Sequence, residues 1–160
     1  MTTQSFYHLA LVTHIAGLTI MAGTTLVDFI ITRQFWKLHA NNNLKGLAIQ
    51  EATSKFTMLF GIGILLLILS GVYMMYVTHG AYGEQIWFRI KFGFVIAIIL
   101  NGIAIGRRQG LKLRKILSEE AAGKNSEKQL LKIKANINRF HISQLVFFLT
   151  IFTLSVFKFN

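Results

Sequence analysis

Four stretches of the 160-residue chain, at about 6–31, 56–77, 86–105 and 142–157, are long and apolar enough to cross a lipid bilayer. A spanning helix needs about 20 predominantly apolar residues, so the chain folds as an all-α integral membrane four-helix bundle with a single domain over 1–160. Function is then sought in the few polar side chains kept inside the spans, because each is costly in hydrocarbon. They are His14, Asp28, Arg89, Lys91, Asn101 and His141.

The composition, 53% hydrophobic and 14% charged, is that of a membrane protein rather than a globular one. Cysteine is absent, which removes disulfides, thiolate metal sites and thiol catalysis. The first apolar run lacks a positive n-region and a small-residue cleavage site and is too long for a signal peptide, so it is expected to stay attached as the first helix.

The net charge of +11 takes its meaning from where the charges sit. Arg33, Lys37, Lys45 and Lys55 lie between spans one and two. Arg107, Arg108, Lys112, Arg114, Lys115, Lys124, Lys128, Lys132, Lys134 and Arg139 lie between spans three and four. Both loops fall on one side, and the positive-inside rule places that side in the cytoplasm and both termini outside, as in a bacterial-type inner membrane. Anionic headgroups account for the charge, and no nucleic-acid partner is expected.

The absence of proline predicts straight, uninterrupted helices. Gly17, Gly23, Gly61, Gly63, Gly71, Gly93, Gly102 and Gly106 are expected to let backbones approach closely. Between 106 and 141, apolar residues recur every three or four positions among the lysines and arginines. The pattern predicts helical extensions of spans three and four, joined by a turn near Gly123 to Ser126 in a basic cytoplasmic hairpin. Its partner classes are the bilayer surface, a soluble partner or a second copy of the chain.

Depth sorts the polar residues into two layers. At about 1.5 Å per residue, His14 lies roughly 10 Å below the outer edge, beside Arg89 and Lys91, with Tyr73, Tyr76, Tyr82, Trp87 and His79 around them. His8 is about 240° around the helix from His14 and points elsewhere. A neutral imidazole between helices is a candidate haem ligand; its structural alternative is a single hydrogen bond to a neighbouring helix. Lys91 either snorkels or meets an anionic ligand such as a haem propionate or a quinone carbonyl. Asp28, about 21 Å deeper on nearly the same face as His14, joins Arg33, Arg107 and His141 in the inner layer, where an ion pair to Arg33 or Arg107 is expected ahead of a proton pathway. Asn138, His141 and Gln144 share one face of span four. His141 as a second haem ligand would be far from His14.

The run from His14 to Gly23, the Ser-Gly71-Val-Tyr segment, Trp87-Phe-Arg-Ile-Lys91 and Asn138-Arg139-Phe140 together resemble the small four-helix membrane proteins related to HemJ-type protoporphyrinogen oxidases and CopD-type proteins. The resemblance implies a bundle that binds haem b, with His14 as the iron ligand, Lys91 as a functional residue, and Arg89, Trp87, His141 and Asn101 as the cofactor's other candidate neighbours. It covers the spans and leaves out the basic hairpin. Asn101 stands where that family is expected to carry a histidine, and Met21 and Asp28 stand in place of its tryptophan and proline-arginine pair, so haem binding carries over better than porphyrinogen oxidation. The expected function is redox chemistry with a quinone or porphyrin. The alternatives are copper or proton handling, with Met21, Met58, Met74 and Met75 as soft ligands, or a structural subunit.

Overall fold

The computed structural model describes residues 3–41 and 56–157. Lys45, Glu51, Lys55 and Lys158 lie outside them. Four helices among these residues are long and apolar enough to cross a membrane. α1 runs Thr3–Asn41 and α2 Phe56–Val77. α3 runs Ile86–Asn101, passes through a π-helical stretch at Gly102–Arg107, and continues as α4 at Arg108–Ala121. α5 runs Glu127–Phe157.

α1 packs along α2, α5 packs along both α1 and α3, and α2 and α3 share little packing although they are consecutive. Large apolar side chains such as Leu9, Leu65, Leu69, Leu100 and Leu149 stay exposed around the outside. Lipid tails are as apolar as leucine, so the bundle gains little by burying them and is held by close packing instead. That packing is tightest where Gly17 of α1 faces Gly63 of α2. A Cβ at Gly17 would stand 3.0 Å from the Gly63 carbonyl oxygen, and one at Gly63 would stand 2.6 Å from Met21 Cγ. Gly23, Gly61 and Gly93 meet nothing within 4 Å, so the expectation of close backbone approach fails at those three positions.

Span three is not the uninterrupted α-helix that a proline-free chain predicts. The Phe140 ring seats against Gly106, where a Cβ would lie 2.8 Å from its Cζ, and Asn101 donates from Nδ2 to Ser143 Oγ at 3.0 Å. Both contacts tie the π-helical stretch to α5, and such bulges bend helices without proline.

Beyond the spans, α4 and the first half of α5 form the expected hairpin. α4 ends in a Schellman turn, with the Gly123 N–H bonded to the Glu120 carbonyl, the Lys124 N–H bonded to the Glu119 carbonyl, and Gly123 at φ +84°. α1 also extends into this region, which the sequence reading did not foresee. Phe35 of α1 is buried against Leu113, Ile116, Leu117, Leu130, Ile133 and Ile137, and His39 Nε2 lies 3.1 Å from a Glu120 carboxylate oxygen. The basic end is therefore a three-helix core with its lysines and arginines facing outward. A second core, Met21, Leu67, Ile98, Phe148 and Ile151, closes the middle of the spans.

Candidate functional site

Above that middle core, towards the N-terminal end of α1, the four spans line a half-open cavity of about 590 Å³. The volume falls within the roughly 300–1,000 Å³ typical of small-molecule and cofactor sites. Its walls are mostly aliphatic and aromatic, and Met21, Ile98, Phe148 and Ile151 form its floor. The polar groups on its lining include His14, Lys91, Tyr7 and Tyr82, the two phenols facing each other. Three thioethers, Met21, Met74 and Met75, also line it.

His14 is held from α2. Its Nδ1 lies 3.0 Å from Ser70 Oγ, and the Ser70 hydroxyl itself bonds to the Leu66 carbonyl of its own helix. A hydroxyl has one hydrogen, so with that hydrogen on Leu66, Ser70 accepts from His14 and Nδ1 carries the proton. In the neutral ring Nε2 is then a bare electron pair, the form in which imidazole ligates metals. Gly71 leaves room for the ring, since a Cβ there would come within 3.4 Å of its Cε1. Ser70 was not singled out in the sequence, although it is a rare polar residue in the middle of span two.

The structure brings together some of the residues named from sequence and separates others. His14, Lys91 and Trp87 line the one cavity, Trp87 being buried with its indole N–H bonded to the Gln85 side chain. Arg89 turns away and donates from Nε to the Gly83 carbonyl at 2.9 Å, tying the α2–α3 turn. His8 is exposed beside Tyr7. His79 adopts a left-handed φ of 51° at the C-terminal turn of α2. Asn101 and His141 lie outside the lining, Asn101 in its bond to Ser143 and His141 in the inner layer.

That inner layer differs from expectation in its pairing. Asp28 Oδ2 lies 2.9 Å from His141 Nε2 and so joins α1 to α5 rather than meeting Arg33 or Arg107. Arg33 instead stands 4.5 Å over the Phe29 ring. The imidazole is the better-placed partner because it lies in the bundle interior, whereas Arg107 is exposed. On the predicted polar face of span four, His141 and Gln144 are buried and Asn138 is exposed. Among the described residues, no three His, Asp or Glu side chains converge as a metal cluster.

The lining brings together one imidazole, one ammonium, and aromatic and aliphatic walls, the kinds of group that holding a flat apolar macrocycle would require. No protein-family model, curated protein or solved structure matches the chain, so the chemistry of the cavity carries the functional reading.

Proposed function

We propose that the chain is a membrane haem b-binding protein of redox function, with the cofactor in the outer cavity and His14 as its axial ligand. The observation that supports this reading is the Ser70–His14 hydrogen bond, because with Nδ1 as its donor it leaves Nε2 as the atom to meet a metal in a site lined mainly by apolar groups. Second-neighbour bonds of this kind set the tautomer and ring orientation of metal-bound histidines. Haem, when bound, supplies one-electron transfer. The chain's own groups do the rest. Lys91 pairs with a propionate or a substrate carbonyl, Tyr7 and Tyr82 offer phenol donors, and the aliphatic floor excludes water. The resemblance of the span-one and span-three motifs to HemJ-type and CopD-type proteins supports the same reading, with a quinone or a porphyrin as the reaction partner and a bacterial-type inner membrane as the setting.

The reduced-minus-oxidised visible spectrum of the purified protein tests it. A haem b spectrum that is lost in His14→Ala is expected. A purified or haem-reconstituted protein without a Soret band, or one whose band is indifferent to that substitution, contradicts it.

Met21, Met74 and Met75 on the lining beside His14 favour one second reading, a Cu(I) site built from thioethers and one imidazole. Copper bound stoichiometrically and lost on replacing Met21 and Met74, with no haem, is its signature.

A further inference from the structure

Below the cavity floor, the inner polar pair carries two atoms whose hydrogen-bonding capacity is unmet. His141 has a side-chain exposure of 3%, with Nε2 on Asp28 and Nδ1 buried without a partner. Gln144 is fully buried, donates from Nε2 to the Ile98 carbonyl at 3.1 Å, and has Oε1 buried without a partner. The two residues are three apart on α5, so their side chains are neighbours on one face. Buried polar groups in proteins are satisfied as a rule, and internal water is the usual partner when no side chain serves.

The protonation states fit one water. With Asp28 ionised, His141 donates from Nε2 to its carboxylate and presents Nδ1 as an acceptor. Gln144 Oε1 is also an acceptor, and a water molecule has two hydrogens to give.

We propose that Asp28, His141 and one internal water held between His141 Nδ1 and Gln144 Oε1 form a proton relay between the basic end of the bundle and the underside of the cavity. Asp28, with a side chain 35% exposed, is the open end, and His141 is the sealed middle. From the state with Asp28 ionised, Nε2 gives its proton to the Asp28 carboxylate while the water gives one of its own to Nδ1 and is made good by a proton from the cavity side, so one proton crosses and no electrons change hands. The reverse transfer returns it. Phe29 and Phe140 pack against the imidazole and hold the ring. The charged groups nearby are Arg33 over Phe29 on α1, and Arg107 and Arg139, both exposed at the same end. At the far end, Gln144 is anchored to Ile98, a residue of the cavity lining, and Met21 and Phe148 close the last step in this conformation.

The test needs no cofactor and so stands apart from the haem reading. The full chain, labelled with ¹⁵N-histidine and placed in lipid nanodiscs, is examined by magnetisation transfer from water to the ring nitrogens, with His141 assigned through His141→Phe. The expected result is a water contact at His141 Nδ1, lost in Gln144→Leu, and ring-proton exchange that is slowed in Asp28→Asn and restored in Asp28→Glu. A His141 Nδ1 without a water contact, or exchange as fast in Asp28→Asn as in the unaltered chain, overturns the relay. Gln144→Leu leaves the Asp28–His141 bond intact, so it decides the question even if Asp28→Asn fails to fold.

Discussion

Ser70 Oγ stands 3.0 Å from His14 Nδ1 across the α1–α2 interface, while its own hydrogen is committed to the Leu66 carbonyl. The bond holds the imidazole through Nδ1 and leaves Nε2 for the proposed metal. Ser70→Ala should therefore leave the fold intact and weaken haem binding about 10–100-fold, the usual cost of removing such a supporting group. Ser70→Thr, which keeps the hydroxyl, should bind nearly as the unaltered chain does. Titration of haem into each purified variant, followed at the Soret band, checks both.

Lys91 and Arg89 are two residues apart and are expected to behave differently. Lys91 lines the cavity, whereas Arg89 is bonded to the Gly83 carbonyl. If Lys91 meets an acidic group of the haem as proposed, Lys91→Ala should remove a charged hydrogen bond worth about 1.5–3 kcal/mol, roughly a tenfold or greater loss of affinity. Arg89→Ala should leave affinity unchanged and affect only the turn. The same haem titration, run on the two variants in parallel, separates them.

The glycine contacts make a prediction about stability alone. Gly63→Ala places a methyl group 2.6 Å from Met21 Cγ and 3.0 Å from the Gly17 carbonyl oxygen. Overpacking of that kind costs about 1–3 kcal/mol. Gly23→Ala meets nothing within 4 Å and should fall within about 0.5 kcal/mol of the unaltered chain. Thermal unfolding in detergent, followed by circular dichroism, should show a lowered Tm for the first variant and no shift for the second.

Leu117 lies in the three-helix core at the basic end, 3% exposed and remote from the cavity. Leu117→Ala should destabilise the protein by about 2–5 kcal/mol through the cavity it leaves. The haem spectrum of the fraction that remains folded should be unaltered. A spectral change in that variant would mean the two ends of the bundle are coupled.

The four spans, the hairpin and its turn at Gly123 were legible in the sequence because they rest on apolar run length, helical period and a glycine stop. His14 and Lys91 in one layer, and Asp28 and His141 in another, followed from rise per residue alone. Partners within a layer did not follow. Depth is one coordinate, and rotation about the helix axis decides whether Asp28 meets an arginine or His141, and whether Arg89 faces the cavity or the turn. Nor did the sequence distinguish Gly63, which touches a neighbour, from Gly23, which does not, since rotation about the helix axis decides which glycine faces another helix. The π-helical stretch escaped notice because Gly106 permits the Phe140 contact without leaving a sequence signal as strong as proline.

The proposed function turns on His14 Nε2 holding a metal in this cavity. Pulsed electron–nuclear resonance of the oxidised protein, purified after growth on ¹⁵N-histidine, tests it directly. The expected result is a ferric haem signal with a strong ¹⁵N coupling from an imidazole, present in the unaltered chain and absent in His14→Ala. A metal signal with no histidine nitrogen coupling, or one that persists after His14 is replaced, would contradict it.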